Sequence, residues 1–138
     1  YSRAFAYCRS KLANLLFSKG LQKRLLEINS DTIATSAHPG WSSTNLGMRS
    51  HPLASPIMSI FWKLAQSAAM GALPTLRALL DPTAQGGDYY GPDGFRSSRG
   101  HPIKVGSSQD AQNPELADRL WVVSEELTGI SYSWTNDN

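Results

Sequence analysis

Ala6-Tyr7-Cys8-Arg9-Ser10-Lys11-Leu12-Ala13-Asn14-Leu15-Leu16-Phe17 lies in a stretch, from about Ala4 to Leu26, that has no proline and one glycine. Across it Leu12, Leu15, Leu16, Leu21 and Leu25 recur mostly at three- and four-residue steps, with Lys19, Lys23 and Arg24 between them. That is the pattern of an amphipathic helix with a broad apolar stripe. It is expected to end near Ile28, where Asn29, Ser30 and Asp31 favour a turn. Tyr7 and Lys11, four residues apart, share one helix face, one turn from each other. An ammonium beside a phenol stabilises the phenolate and draws the Tyr pKa down from its reference of about 10. Tyr7 could then act as general acid or base nearer neutral pH. The spacing also occurs by chance in many helices, so its weight depends on what surrounds it.

After the helix the chain turns into a strand and then a loop. Thr32 to Ala37 is rich in Thr and Ile and lacks long charged side chains, as expected of a strand buried on both faces of a parallel sheet. His38-Pro39-Gly40 stops it, because proline removes a donor and glycine permits a tight turn. Helix, strand, then a glycine-containing loop is the order an α/β fold gives. Ligands in open α/β sheets bind at the carboxyl ends of strands, where this loop and the Thr44 hydroxyl fall. Taken alone, the loop is also explained as a simple turn, and Ser43-Thr44-Asn45 as a capping turn.

Farther along, Trp41 to Ser55 reads as a loop, and Ser55-Pro56 as the start of a helix through Ile57 to Leu64. A further helix is expected from Ser67 to Leu80, with Pro74 imposing a kink or a late start and Asp81-Pro82 closing it. Asp88-Tyr89-Tyr90 is a short strand candidate, and the polar stretch from there to Asn113 reads as irregular. Asn113-Pro114-Glu115 is a strong helix start, with an N-cap, a proline at the first position and an acid favoured by the dipole. Leu116, Leu120, Val123 and Leu127 give that helix one apolar stripe, Gly129 is its C-cap, and Ser131 to Asn138 reads as a tail. Only two short strands emerge. They make a poor sheet alone and good sense completing one whose other strands lie elsewhere.

Composition narrows the function classes. Hydrophobic residues make up 41% of the 138 and charged residues 17%, which argues for a folded globular protein and against disorder. A net charge of +2 gives no footing for nucleic acid or an anionic membrane surface, and Lys19, Lys23 and Arg24 read as a solvated helix face. Cys8 is the single cysteine, without a disulfide partner, which fits a reducing, cytoplasmic setting. His38, His51 and His101 have no ligand spacing, so no metal site is expected. No apolar run approaches the roughly 20 residues that span a bilayer. The sequence opens at Tyr1 without an initiator Met, as a fragment or a processed product would.

With these segments in hand, the run from Ala6 to Phe17 closely resembles the active-site helix of the short-chain dehydrogenase/reductases. It is nearest the branch that contains retinol dehydrogenases, the WW-domain oxidoreductase and protochlorophyllide reductases. Ala37-His38-Pro39-Gly40 with Thr44 is similar to that family's Pro-Gly-x-x-x-Thr loop. Gly87-Asp88-Tyr89-Tyr90-Gly91-Pro92 and Leu120 to Gly129 resemble that branch's last strand and last helix, in the right order. The resemblance implies the C-terminal portion of a doubly wound, Rossmann-like parallel α/β sheet. Residues 1–130 would be the catalytic half of one dehydrogenase domain and 131–138 a tail.

It also implies hydride transfer between NADP or NAD and an alcohol or carbonyl substrate. Tyr7 would exchange the proton at the substrate oxygen. Lys11 would bind the nicotinamide ribose hydroxyls and depress the Tyr7 pKa. Pro39, Gly40 and Trp41 would line the nicotinamide, largely through backbone, and Thr44 would hydrogen-bond its carboxamide. Trp41 to Leu64 would form the substrate lid.

The departures matter equally. The family's Gly-x-x-x-Gly-x-Gly loop, its Asn-Asn-Ala-Gly segment, its catalytic serine and its helix-borne asparagine are absent, and all precede the tyrosine in the family. Truncation is the simplest account. The partner expected first is therefore the N-terminal half of the domain, and this half alone is expected to be inactive. Two other classes stand beside the enzyme: a non-catalytic protein that keeps the fold for homo-oligomer or other contacts, and a membrane-surface module using Ile57 to Leu64.

Overall fold

The computed structural model describes residues 1–41 and 66–134. The expected helix over Ile57 to Leu64, the lid beyond Trp41, Thr44 and His51 lie outside the described residues. The chain divides into two compact units: residues 1–36, 85–88 and 106–138, and residues 37–84 and 89–105.

In the first unit the proline-free stretch forms helix α1, Arg3–Glu27. Its end is a Schellman motif. Asn29 takes the left-handed conformation at φ 53°, the Ser30 N–H donates to the Leu25 carbonyl and the Asn29 N–H to the Leu26 carbonyl. The other end is open. Ser2 makes no side-chain cap, the first turn carries no acid, and through Lys11 every residue but Ala6 is exposed. Packing begins farther along, at Leu16, Gly20, Gln22 and Leu25.

What packs there is helix α3, Pro114–Thr128. The Asn113 carboxamide accepts from the Glu115 and Leu116 N–H groups, Pro114 occupies the first turn, and Gly129 closes the helix at φ 68°, as the sequence predicts. The packed face differs from the expected one. Ala117 and Trp121 are buried, whereas Leu127 is 83% exposed and Val123 39%. The apolar stripe read from Leu116, Leu120, Val123 and Leu127 is thus only partly covered, with Leu116 and Leu120 half-buried and Val123 and Leu127 exposed. Trp121 wins because one indole buries far more area than an aliphatic side chain. Its ring stacks on Phe17 at 5.3 Å and 5°, and the Arg24 guanidinium lies 4.1 Å from its centroid. Tyr132 and Trp134, read from sequence as part of a tail, approach the same indole at 6.0 and 5.8 Å.

Among the described residues, Gln22 is the one buried polar residue of this core. Its Oε1 accepts from the Ala34 N–H at 2.7 Å, which fixes the chain where it leaves α1, and the Ala34 carbonyl accepts from Gly87. Gly86 is glycine for a steric reason, because a Cβ there would collide with the Gln22 amide.

The sheet is short and mixed, in the order β1 (Ser36–Ala37), β2 (Tyr89–Pro92), β3 (Pro102–Lys104). The Ser36 N–H donates to Asp88 and the His38 N–H to Tyr90, so β1 and β2 step the same way and run parallel, as expected. β1 is shorter than the run from Thr32. The third strand falls in the stretch read as irregular and pairs antiparallel, with Gly91 opposite Ile103. Its polar, glycine-containing sequence hides it: the pairing is fixed by the turn between the strands, where Asp93 accepts from the His101 N–H and Gly94 donates to Arg99.

Helix α2, Ala68–Leu80, packs on β2 and β3 in the second unit. Ser67 caps it by accepting from the Met70 N–H. Pro74 neither delays nor ends the helix; it is fully buried, and that burial offsets the missing N–H. Arg77 ties the layers together. It donates to Asp81 at 3.0 Å and to the Pro102 carbonyl, and lies 5.8 Å from the ring centroid of the fully buried Tyr90. Hydrogen bonds from the Thr83 hydroxyl and N–H, then Arg77, hold the Asp81 carboxyl at about 2. At the end of β1 the half-buried His38 ring lies 5.1 Å from Tyr89 and against Gly91, whose Cβ would strike it. Burial lowers the His38 pKa and raises that of Tyr89.

Three outcomes are expected in thermal and denaturant unfolding of the full chain. Gly20→Ala places a Cβ 3.5 Å from Trp121, an ordinary contact, and should stabilise α1 by about 0.5–1 kcal/mol. Gln22→Ala leaves the Ala34 N–H without its acceptor and should cost about 1–3 kcal/mol. Because the folded state holds His38 below its ordinary 6.5, the unfolded chain takes up that proton first. Stability should therefore fall as pH drops below about 6.5 towards the folded value. An NMR titration placing His38 at or above 6.5 would overturn that assignment.

Candidate functional site

Tyr7 and Lys11 stand on one face of the open end of α1, where the sequence places them. The Lys11 ammonium lies over the Tyr7 ring, 5.3 Å from its centroid, and no hydrogen bond joins the two side chains. Tyr7 is 61% exposed, so its phenol is accessible to a partner molecule. The backbone beneath it is secured locally, with the Ser10 hydroxyl donating to the Tyr7 carbonyl at 2.7 Å. Cys8 and Arg9 point elsewhere in function: Cys8 is an exposed free thiol, and the Arg9 guanidinium lies over Phe5 at 5.7 Å. A phenol that exchanges a proton, with an ammonium one turn away, is an acid–base pair that can also hold vicinal hydroxyls.

Pro39, Gly40 and Trp41 belong to the second unit. Gly40 has φ 64°, and a Cβ there would sit 2.5 Å from the Ser98 carbonyl oxygen and 2.7 Å from Pro92. Glycine is required on both counts. The loop's hydrogen-bonding groups are committed to neighbours. The Gly40 N–H donates to His38 Nδ1 at 3.2 Å and the Trp41 N–H donates to the Ser98 carbonyl. The Pro39 carbonyl accepts from the Gln66 side chain, and the Trp41 carbonyl accepts from the Gln66 N–H at 3.0 Å. Sequence reasoning expects this loop to meet a ligand largely through its backbone. In the structure its N–H groups are already used, so what it offers is a fixed shape, the second lone pairs of its carbonyls and the 43%-exposed Trp41 side chain.

His38, Gln66 and Ser98 are the residues that hold the loop, and sequence reasoning gave none of them that part. His38 carries a local signal, since it lies two residues before Gly40. Gln66 and Ser98 are distant in sequence and carry none. The structure thus brings Tyr7 together with Lys11, and Pro39 together with Gly40 and Trp41, while Thr44 lies outside the described residues. Among the described residues, no cluster of His, Cys, Asp and Glu could hold a metal ion, and no helix is long and apolar enough to cross a membrane.

No protein-family model matches the chain. Individual proteins do. Human retinol dehydrogenase 12 is 36% identical over 132 residues, covering 96% of this chain and 39% of the relative. Human retinol dehydrogenase 13 is 34% identical, covering 94% and 38%, and mouse retinol dehydrogenase 14 is 32% identical, covering 94% and 37%. The chain therefore spans less than two fifths of the length of these relatives. Among solved structures, an uncharacterized protein from Mycobacterium paratuberculosis superposes with a TM-score of 0.67 at 35% identity. That match covers 96% of this chain and 42% of the other. Sequence and fold comparisons agree: the chain belongs to the short-chain dehydrogenase/reductase family and matches the C-terminal part of its retinol dehydrogenases.

Proposed function

We propose that this chain is the proton-transferring, C-terminal part of a nicotinamide-dependent oxidoreductase that interconverts an alcohol and a carbonyl. The observation that carries the reading is the Tyr7–Lys11 pair on an accessible helix face. The retinol dehydrogenases it resembles suggest a bulky, apolar alcohol or its aldehyde as substrate. A cytoplasmic setting is part of the proposal and rests on the single cysteine, Cys8, which has no disulfide partner in this sequence.

The donor set fits a nicotinamide ribose. Lys11 presents three N–H donors and no acceptor, and its neighbour Tyr7 adds a hydroxyl that both donates and accepts. NADP or NAD, when bound, carries the hydride, the step that no side chain here can perform. Lys11 holds the ribose hydroxyls and places positive charge beside the Tyr7 phenol. Tyr7 gives its proton to the substrate oxygen in reduction and takes it back in oxidation. By the family resemblance, Pro39, Gly40 and Trp41 would line the nicotinamide and Thr44 would offer a hydroxyl to its carboxamide. The sequence contains no phosphate-binding glycine loop, so turnover depends on a nucleotide-binding half, and this chain by itself is inactive.

In the full-length enzyme, Tyr7→Phe should lower kcat by about 10²- to 10⁴-fold. NAD(P)H affinity, followed by nicotinamide fluorescence, should stay within about threefold, since one hydroxyl is removed and Lys11 remains. Lys11→Met should weaken both. Turnover retained by the Tyr7→Phe enzyme would remove Tyr7 from the mechanism.

A further inference from the structure

The far end of α1 from Tyr7 carries a second feature, independent of the proposed oxidoreductase chemistry. Within the first unit a cavity of about 300 Å³ opens between the Lys19–Leu26 face of α1, the Gly86–Gly87 turn and the residues leading into α3. Its walls are of two kinds. Leu26, Pro114 and Ala117, with the backbone of Gly20, form apolar surface, while Lys19, Lys23 and Gln22 bring donors. No carboxylate lines it.

Two of these donors have nothing to bond. Lys23 is engaged by Asp118 at 2.7 Å, and Arg24 shares that carboxylate at 3.7 Å. Lys19, on the same face, is half-buried and has no ion-pair or hydrogen-bond partner among the described residues. Gln22 is 92% buried, by its 8% exposure, and its Oε1 is committed to the Ala34 N–H. The acceptor has to be the oxygen, because Ala34 donates; the nitrogen is therefore the free end, and it has no partner among the described residues. Among the described residues no sealed side-chain nitrogen or oxygen lacks a partner, so this nitrogen is not sealed; it opens into the cavity that Gln22 lines.

The glycine pair keeps that opening clear. A Cβ on Gly86 would collide with the Gln22 amide, and Gly87, at φ 86°, has no heavy atom within 4 Å of where its Cβ would stand. The backbone at the N-terminus of α3 adds no donors, because the Asn113 Oδ1 accepts from the Glu115 and Leu116 N–H groups and Pro114 has none; the Asn113 carboxamide nitrogen, also on the lining, is a further neutral donor. A buried amide donor and an unpaired ammonium, three residues apart on one helix face, therefore point at an apolar-walled space without a counter-charge. Buried donors rarely stay unsatisfied, and a cation facing such a space is best answered by an anionic acceptor.

We propose that this cavity binds a small carboxylate with an apolar body, its oxygens accepting from Lys19 Nζ and Gln22 Nε2 and its body lying against Leu26, Pro114 and Ala117. The sequence pattern alone reads Lys19 as part of a solvated face; the cavity gives it a different role.

Benzoate is a suitable probe, titrated into the isotopically labelled full chain and followed by NMR. Saturable shifts are expected at the Gln22 side-chain amide and at the Gly86 and Gly87 N–H groups. Lys19→Gln, a change at a half-buried side chain without a partner among the described residues that should leave folding intact, is expected to weaken benzoate roughly fivefold. Benzamide, the neutral isostere, should bind at least as weakly to the unaltered chain as benzoate binds to that variant. Shifts that never saturate, equal affinity for benzoate and benzamide, or an unchanged benzoate affinity in Lys19→Gln would each overturn the proposal. None of these readouts depends on turnover, so the oxidoreductase assignment stands or falls separately.

Discussion

The indole of Trp121 lying across α1 at Gly20 is the contact on which the first unit is built. The ring meets the helix at Gly20, where an added Cβ would stand 3.5 Å from it, with Phe17 stacked on the indole and the Arg24 guanidinium 4.1 Å from its centroid. Such an arrangement fixes the rotation of α1 about its own axis, because Phe17, Gly20 and Arg24 all meet the same indole. Once the rotation is set, Gln22 faces the chain that leaves the helix and can hold Ala34, and Lys19 turns toward the cavity below. The direction of the Tyr7 face, near the start of the same helix, is set by that rotation too. Packing at one end of a helix thereby decides where chemistry can be presented at the other.

The second unit meets its constraints differently. Its core is small, with Tyr90, Pro74 and Pro92 fully buried, and polar ties hold the layers. Arg77 links helix, sheet and the Asp81 turn in one side chain. His38, Gln66 and Ser98 do the same for the Pro39-Gly40-Trp41 loop. A loop whose N–H groups are all committed internally is preorganised, so a ligand that fits its shape would not have to order it first.

Much of this was legible from residue order. The termini of α1 and α3, the parallel pairing of β1 with β2 and the Tyr7–Lys11 face come from local rules: periodicity, capping and turn chemistry. Where reading failed, the cause was non-local. Counting leucines gives only part of the packed face of α3, because its buried centre is decided by Trp121 meeting Phe17, Gly20 and Arg24 on another helix. β3 escaped notice because its pairing depends on a turn held by the Asp93 side chain, not on alternating apolar residues. The Ser131–Trp134 segment reads as a tail until Trp121 gives its aromatics something to rest on. Pro74 reads as a kink or a late start in α2 because its burial is invisible in one dimension. The acid–base pair was visible since both members share a helix turn; the residues bracing the loop were not, since Gln66 and Ser98 come from far along the chain.

The open end of α1 has a thermodynamic consequence. Its first turns carry no side-chain cap, no acid to answer the dipole and almost no buried surface, so they rank among the least protected backbone of the helix. Tyr7 and Lys11 sit on that stretch. Fraying of the helix and loss of their relative placement are one equilibrium. By linkage, any molecule that grips both side chains must raise the local order of the backbone beneath them, and anything that orders that backbone must raise affinity for the molecule by the same factor. Amide exchange at residues 3–11 would thus report occupancy of the site without any view of the chemistry itself.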